Sequence, residues 1–324
     1  MNPLTVLQFD MRRSPRCPDS QEARYQGCLD MVEFADKAGI SVVGFSEHHN
    51  TEDGFLSSPM MLAMAAAQAT SNIRLSVSAL LLPLHDPIKI AEDVAVLDLL
   101  SQGRFMAVAG LGYRESEYRT MGVDWKRRGA IMDEKIGVLL RAWKGEYFNH
   151  NGIKTKLDPV PKRPARALLS IGGNSVAAAR RAARFGLFFA PAIDDPALEK
   201  AYNAAYDTHG FQQGGVIFPR EPSLTLVSDD PERDWAHHGK YLLYDAQAYG
   251  RWRHPTRRAY AESSASDIAG LREEGKYCFL TPAQAVERVR QKGTINLSPL
   301  CGGMPLDAAW KSLELYASKV APEL

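Results

Sequence analysis

The sequence alternates short apolar runs rich in β-branched residues with longer segments of helical period, and this constrains the fold most strongly. Such alternation is typical of parallel strands joined by crossover helices. The predicted strands are 4–9, 41–46, 73–82, 104–109, 167–171, 187–192, 224–227 and 295–297. The predicted helices are 21–37, 58–69, 86–100, 126–143, 175–185, 196–208, one from 231, 281–293 and 306–320. Eight strands, each followed by at least one helix, predict a (β/α)₈ TIM barrel rather than a doubly wound sheet, which fits six units better.

Two segments interrupt this pattern. Residues 145–164, after the fourth helix, are turn-rich and carry three prolines, and residues 251–276, before the eighth strand, are polar and hard to assign. The chain has 324 residues, of which 45% are hydrophobic, so one large core is possible. We therefore expect a single α/β domain over residues 1–324, with these two segments as excursions.

Charge and cysteine content exclude several classes of function. The net charge is +1, so no nucleic-acid or membrane surface is expected. The four cysteines are widely spaced, which favours reduced thiols over disulfides or structural zinc. The sequence contains no basic leader followed by a long apolar stretch and no run of 18 apolar residues, so we expect a soluble, cytoplasmic protein.

The carboxyl ends of the predicted strands carry polar and glycine-rich residues. Active sites of (β/α)₈ barrels form from the loops at these ends, so they are the first place to look for chemistry. In strand order, the first five ends are Phe9-Asp10-Met11, Glu47-His48-His49, Leu82-Pro83-Leu84-His85-Asp86, Gly110-Leu111-Gly112-Tyr113 and Gly172-Gly173-Asn174-Ser175.

The fifth strand end leads directly into a helix. Two glycines, Gly172 and Gly173, let the backbone approach a ligand, and free amides at a helix N-terminus attract an anion. These features fit a phosphate site. An ordinary turn with Asn174 or Ser175 as the helix cap fits them equally well. Gly110-Leu111-Gly112-Tyr113 is ambiguous in the same way, since it can be a tight turn or a place where a flat ring lies against the strand ends.

The second strand end pairs a carboxylate with two imidazoles. The pKa of His48 is tunable across neutrality and Glu47 can orient the ring, which is what general acid/base catalysis requires. The alternative is a hydrogen-bonded structural pair, because adjacent histidines point to opposite faces of an extended segment. A metal site is not expected, because the other strand ends supply no third histidine beyond a contribution from His85, and His237-His238 lies in a polar helical segment.

Several spaced motifs together resemble one family, the bacterial luciferase-like flavin monooxygenases. The motifs, in chain order, are Glu47-His48-His49-Asn50-Thr51-Glu52-Asp53-Gly54, Leu81-Leu82-Pro83 through Asp86-Pro87, Ala91-Glu92-Asp93, Leu97-Asp98-Leu99-Leu100-Ser101-Gln102-Gly103-Arg104-Phe105 and Gly122-Val123-Asp124. The second half matches more loosely, through Gly172-Gly173-Asn174-Ser175, Phe185-Gly186 and Val320-Ala321-Pro322. The resemblance covers most of the chain, with a weak stretch at 251–276.

The resemblance implies a luciferase-like barrel that binds reduced FMN at the carboxyl ends of its strands, with the phosphate on the loop after the fifth strand. His48 matches the histidine that luciferases use as an acid/base, and Glu47 would be its structural neighbour. The residues implied to contact the flavin are Glu47, Ser78, Ala79, Gly110, Gly112, Tyr113, Gly172, Gly173, Asn174 and Ser175. The family carries a non-prolyl cis peptide at the position of Ser78-Ala79, so we predict one there.

One departure concerns the phosphate. Luciferases place a phosphate-binding arginine at the position of Leu111, so here the charge must be met by backbone amides and by Arg114 or Arg180. Light emission from a long-chain aldehyde is therefore not implied.

The resemblance implies an oxidoreductase of the two-component monooxygenase type. A separate NAD(P)H:flavin reductase would supply reduced FMN, and the protein would use O₂ to oxygenate a small organic substrate. No Gly-x-Gly-x-x-Gly fingerprint follows a strand, so no nicotinamide-binding domain is expected. A deazaflavin-dependent hydride transferase on the same fold is the alternative, and Arg163, Arg166, Arg180 and Arg181 leave it open. A third possibility is a non-catalytic partner subunit. Such barrels commonly pair, so a homodimer through helices 59–69 and 87–100 is expected.

Overall fold

Strands and helices alternate along the chain in a computed structural model, which describes residues 3–209, 214–220, 223–252 and 263–324. The strands are β1 (Leu4–Phe9), β2 (Val42–Phe45), β3 (Arg74–Leu80), β4 (Phe105–Ala109), β5 (Phe148–His150), β6 (Ile153–Thr155), β7 (Leu169–Gly172), β8 (Phe188–Ala190), β9 (Leu224–Val227), β10 (Tyr277–Leu280) and β11 (Thr294–Leu297). The helices are α1 (Gln21–Lys37), α2 (Pro59–Ala69), α3 (Pro87–Leu100), α4 (Glu115–Thr120), α5 (Arg128–Ala142), α6 (Ala165–Leu168), α7 (Val176–Arg184), α8 (Pro196–Asp207), α9 (Pro231–Arg251), α10 (Ile268–Glu274), α11 (Pro282–Lys292) and α12 (Leu306–Leu315).

The chain divides into two compact units, each with its own parallel strands. Unit 1 comprises Met1–Ser58, Ala69–Leu75 and Arg220–Leu324, and its strands follow the order β10-β9-β11-β1-β2. Unit 2 comprises Pro59–Gln68 and Ser76–Pro219, and its strands follow the order β3-β4-β7-β8. Strands β5 and β6 form a separate antiparallel hairpin in unit 2.

The register of each unit aligns the carboxyl ends of its strands. In unit 1, Phe9 of β1 pairs with Phe45 of β2, so the residues that follow both strands emerge at one edge. In unit 2, Ala109 of β4 pairs with Ile171 of β7, so Gly110 and Gly172 follow at one edge. These two edges carry the candidate catalytic and binding residues.

Predicted capping residues begin several helices. Asp86 accepts a hydrogen bond from the Lys89 backbone at 2.9 Å, which begins α3. Thr281 begins α11 with a full capping box, in which the hydroxyl accepts from the Gln284 backbone at 3.2 Å. Each such cap is worth about 1 kcal/mol. Ser58, by contrast, makes no side-chain cap bond at the start of α2.

Six elements were not predicted from the sequence, namely α4, β5, β6, α6, α10 and β10. The excursion at 145–164 contains the β5–β6 hairpin, and α4 follows β4 directly. Strand β10 begins where the unassigned polar stretch ends, and all four of its residues are buried. A strand of four buried residues shows no alternation, so periodicity does not reveal it. Of the unassigned stretch, 253–262 lies outside the described residues. No helix in the described ranges combines the length and apolar composition needed to cross a membrane.

Candidate active site

His48 follows β2 in unit 1 and lies between two aromatic rings. The centroid of its imidazole is 4.8 Å from that of Phe55, edge to face, and 4.8 Å from that of Trp252. Its backbone N–H donates to the carbonyl of Leu56 at 3.0 Å. Only 6% of the residue is exposed. The ring is thus fixed from two sides and largely shielded from water.

The carboxylate of Glu47 contacts the neighbouring histidine. Glu47 Oε1 lies 2.8 Å from His49 Nε2, and the Glu47 side chain is fully buried. In the sequence analysis, Glu47 was expected to orient His48. Glu47 also contacts His49, the residue that follows His48 in the chain.

A buried arginine that the sequence analysis did not identify lies beside this segment. Arg12 Nε is 3.1 Å from Asp53 Oδ2, and Arg12 Nη1 is 3.2 Å from Asp245 Oδ1. Its side chain is 0% exposed. Burial of a guanidinium is costly without ionic partners, so two carboxylates from distant parts of the chain are needed to hold it. Their charge, led by that of Asp245, raises the pKa of Arg12 against the effect of burial.

The Arg12 guanidinium also packs over three aromatic rings. Its central carbon is 4.4 Å from the ring centroid of Tyr249, 4.7 Å from that of Trp252 and 5.2 Å from that of Phe55. Phe55 and Trp252 are the same two rings that enclose His48. The cation and the imidazole therefore share one aromatic wall, and cation–π attraction helps to hold that wall in place.

The sequence gives little indication of the cluster around Arg12. Arg12 lies directly after the first strand, where polar residues were expected, but its partner Asp245 is 233 positions away in the middle of α9. A fold-dependent pairing at such a separation leaves no local motif.

In unit 2, the peptide bond Ser78-Ala79 is cis, as predicted. Gly110, at the end of β4, lies against this bond, and its N–H donates to the carbonyl of Leu80 at 2.8 Å. A Cβ atom placed on Gly110 would lie 2.6 Å from the Cβ of Ala79. Glycine is therefore required at 110 for the two backbones to approach. The geometry brings three of the predicted residues together in this unit.

The turn after Gly110 includes Gly112 and Tyr113. Gly112 has a φ of +72°, in the left-handed region that favours glycine. The carbonyl of Leu111 accepts a hydrogen bond from the Tyr118 hydroxyl. Tyr113 is partly exposed. The turn is therefore held by unit 2 itself.

The motif after β7 requires glycine at two positions. Gly173 has a φ of +125°, and an added Cβ would lie 3.0 Å from the Cβ of Ala178. The space for a side chain at Gly172 is equally small, since an added Cβ would lie 2.9 Å from Val108 Cγ1. Ser175 caps α7 by accepting from the Ala178 N–H at 3.2 Å, and Asn174 Oδ1 accepts from the Ala192 N–H at 2.7 Å. Ser175 is thus the N-cap of α7, as in an ordinary strand-to-helix turn, and Gly172 and Gly173 place no side chain beside the helix start.

Several of the arginines considered for an anionic cofactor are already paired within unit 2. Arg114 lies 3.1 Å from the buried carboxylate of Glu117, and Arg181 lies 2.5 Å from Asp133. Arg163 lies 2.6 Å from Asp98. Arg180, on α7, is exposed. Three of these guanidinium groups thus already have a carboxylate partner, whereas Arg166 and Arg180 are exposed.

The fold, with its parallel strands and strand-end glycines, is that of a luciferase-like (β/α)₈ barrel. The family model described as luciferase-like monooxygenase matches residues 6–293. The chain therefore belongs to the luciferase-like monooxygenase family.

Curated relatives match over part of their length. Limonene 1,2-monooxygenase of Rhodococcus erythropolis is 34% identical over 118 residues, which is 36% of this chain and 30% of the relative. The oxygenase component of the flavin-dependent trigonelline monooxygenase of Acinetobacter baylyi is 29% identical over 135 residues, 41% of this chain and 37% of the relative. The chain thus spans about a third of the length of these relatives.

Solved structures match over nearly the whole chain. Monooxygenase RslO1 from Streptomyces bottropensis has a TM-score of 0.74 at 22% identity and covers 98% of this chain and 99% of its own. The oxygenating constituent of 3,6-diketocamphane monooxygenase from Pseudomonas putida, in complex with FMN, has a TM-score of 0.68 at 19% identity, covering 100% and 99%. An F420-dependent secondary alcohol dehydrogenase has a TM-score of 0.69 at 14% identity, again covering 100% and 99%. These likenesses show the fold.

Proposed function

We propose that the protein is the oxygenase of a two-component flavin monooxygenase, which uses reduced FMN and O₂ to oxygenate a small organic substrate. The observation that carries this proposal is His48, a shielded imidazole held between Phe55 and Trp252 at the end of β2 in a chain of the luciferase-like monooxygenase family. A dry, rigid position suits proton transfer to a reacting group.

Reduced FMN would be held by the strand-end residues of unit 2. Its phosphate would lie on the backbone amides of Gly172-Gly173-Asn174-Ser175, and its ring would lie against Ser78-Ala79, Gly110, Gly112 and Tyr113. Bound reduced FMN supplies the electrons that activate O₂. The tight backbone approach at Gly110 supports this assignment, because a side chain there would displace the adjacent strand.

His48 would hold and move a proton at one of its ring nitrogens, and Glu47 would act through His49 by fixing the segment. Replacing His48 with Gln keeps a polar side chain but removes a group that titrates near neutrality. We expect substrate oxidation to fall by about 100-fold or more, since general acid/base catalysis contributes about that much. The matched control is His237→Gln, because His237 is exposed on α9.

The assay couples the protein to any NADH:FMN reductase and follows product formation from a panel that begins with limonene and trigonelline, the compounds named for two relatives. Unchanged turnover in the His48→Gln variant would leave His48 a structural role only. Loss of turnover in both histidine variants would point to a general folding defect rather than to a proton-transfer role.

The alternative cofactor is a deazaflavin, and one structural relative of the same fold uses it. Its long anionic tail needs positive charge, but Arg163 and Arg181 are already paired with Asp98 and Asp133. This favours FMN. A fluorescence titration of the protein with each cofactor discriminates between them, and tighter binding of the deazaflavin would reverse the choice.

We also propose two partners. The trigonelline relative is named as an oxygenase component, which supports a separate flavin reductase that supplies reduced FMN.

A second copy of the chain would pack on α2 and α3, which expose Met61 (75%) and Leu100 (50%). Light scattering of a Met61→Asp, Leu100→Asp double variant should then give half the wild-type mass; a wild-type protein that is already monomeric would contradict the dimer. The assignment of residues 1–324 to a single domain stays a prediction.

A further inference from the structure

Three aspartates lie around the single guanidinium of Arg12. Asp53 and Asp245 each place an oxygen within ion-pair distance of it, at 3.1 Å and 3.2 Å. The Asp10 carboxylate instead accepts a hydrogen bond from the backbone N–H of Arg12 at 3.0 Å. Within the described part of the chain it forms no ion pair. Two of the three carboxylates are thus matched to the cation, and the third is not.

The charges of this cluster do not balance if all three aspartates are ionised. Among the described residues, one guanidinium would face three carboxylates, and Arg12 and Asp245 are 0% exposed. Unbalanced buried charge is removed most readily by taking up a proton. Asp10 lacks the guanidinium contact and is partly exposed, so it is the carboxyl group that can both hold a proton and exchange it with solvent. Burial and then the charge of Asp245 raise the pKa of Asp10 to about 7.

Asp10 also lies at the edge of unit 1 that carries His48. It directly follows β1, which pairs with β2 up to Phe9 and Phe45. One residue links the two segments, because the Leu56 N–H donates to the Asp10 carbonyl at 2.8 Å while the His48 N–H donates to the Leu56 carbonyl at 3.0 Å. The chain turns sharply after Asp10, since Met11 adopts a φ of +60°. This conformation is uncommon for a residue with a side chain.

We propose that Asp10 is a second proton-exchanging residue of the active site, which its unbalanced position in the Arg12 cluster leaves protonated in part of the molecules near neutral pH. This inference rests on the proposed function. A neutral carboxyl group donates a hydrogen bond, whereas a carboxylate only accepts. Asp10 would therefore donate to an oxygen atom of the bound substrate or product. When its O–H bond breaks, the proton passes to that oxygen, and the carboxylate regains a proton from water.

Two neighbouring groups of the cluster, the Tyr277 hydroxyl and the Cys301 thiol, keep their protons over the same pH range. The Tyr277 hydroxyl donates to Asp245 Oδ2 at 2.7 Å, and burial raises its pKa well above the ordinary value. Burial also raises the pKa of the Cys301 thiol, with a further contribution from Asp245. Tyr249 faces Arg12 from α9 through its ring. Burial also raises the pKa of Asp245, which Arg12 and the Tyr277 hydroxyl lower. Because Asp245 contacts the guanidinium and Asp10 does not, we assign the exchanging proton to Asp10.

The direct test measures protonation without any turnover. Infrared difference spectra of the full chain, recorded from about pH 5 to pH 9, should show a protonated carboxyl C=O band that disappears with a midpoint near the value for Asp10. The band should be absent in Asp10→Asn. In Asp53→Asn, which removes one neighbouring negative charge, the midpoint should fall by about half a unit to one unit. A midpoint of about 4, that of an ordinary aspartate, overturns the proposal.

The second test is the pH profile of product formation with reduced FMN. The wild-type protein should lose activity as the pH rises through the Asp10 midpoint. The pH profile of Asp10→Asn should lack this decline. The control variant Asp30→Asn, at an exposed position on α1, should retain it. A limb unchanged in Asp10→Asn overturns the proton-exchanging role and leaves Asp10 a structural group. If the protein oxidises no substrate with reduced FMN, the proposed function fails, and the infrared titration still reports whether Asp10 holds its proton.

Discussion

Replacement of Arg12 by Met keeps the length of the side chain and removes the cation of the buried cluster. Asp53 and Asp245 then lose partners at 3.1 Å and 3.2 Å, and Asp245 is 0% exposed. Breaking a buried ion pair in this way costs about 3–5 kcal/mol, because the remaining charge is left without compensation. We therefore expect the free energy of unfolding to fall by about that amount at pH 8.

The pH dependence of the loss follows from the pKa of Asp245, which burial already raises and Arg12 lowers. Without Arg12 this pKa rises further, so the folded state binds more protons than the unfolded state above about pH 4. The variant is then destabilised increasingly as pH rises, and its deficit relative to wild type should be smaller at pH 5 than at pH 8.

Urea unfolding followed by circular dichroism measures both effects. The matched control is Lys37→Met, which breaks the Lys37–Glu33 pair, 2.6 Å long but exposed by 71% and 48%. Exposed pairs contribute at most about 1 kcal/mol. If Arg12→Met costs no more than this control, or if its deficit does not grow with pH, the buried cluster does not stabilise the site as described.

Two further predictions concern unit 2. Gly110→Ala places a methyl group 2.6 Å from the Cβ of Ala79, so it should cost about 1–3 kcal/mol in thermal unfolding and weaken FMN binding in a calorimetric titration; Gly129→Ala, where the nearest atom is 3.5 Å away, should do neither. Asp98→Asn removes the carboxylate that Arg163 contacts at 2.6 Å, and since Asp98 is buried the loss should be about 2–4 kcal/mol in urea; a loss under about 1 kcal/mol would show that the pair is not needed.

The sequence predicted those elements whose signals are local. Helix α1 runs from Gln21 to Lys37 as expected, with Ser20 accepting from the Ala23 N–H at 3.1 Å and Gly39 in the left-handed region just beyond the last turn. Strand β10 escaped detection because its four residues are all buried and carry no period. The β5–β6 hairpin escaped because its exposed residues lie in a proline-rich segment.

The residues of the candidate site likewise fall into those with a local sequence signal and those without one. His48, the Ser78-Ala79 peptide and Gly110 belong to contiguous motifs, so pattern and resemblance found them. Arg12 was not found, because its environment is assembled by the fold: Asp245 is buried on α9, and the aromatic wall combines Phe55 with Tyr249 and Trp252 from the far end of the chain. The charge state of such a cluster depends on which residues the fold brings close together, so no local sequence motif indicates it.

The most direct test of the proposed monooxygenase is isotope incorporation. The protein, a flavin reductase, NADH and FMN are incubated under ¹⁸O₂ with the substrate panel, and products are analysed by mass spectrometry. We predict one ¹⁸O atom per product molecule, with formation lost in His48→Gln and retained in His237→Gln. Oxidised product without label, or oxidation that proceeds only with a deazaflavin, would contradict oxygen transfer from O₂ in this site.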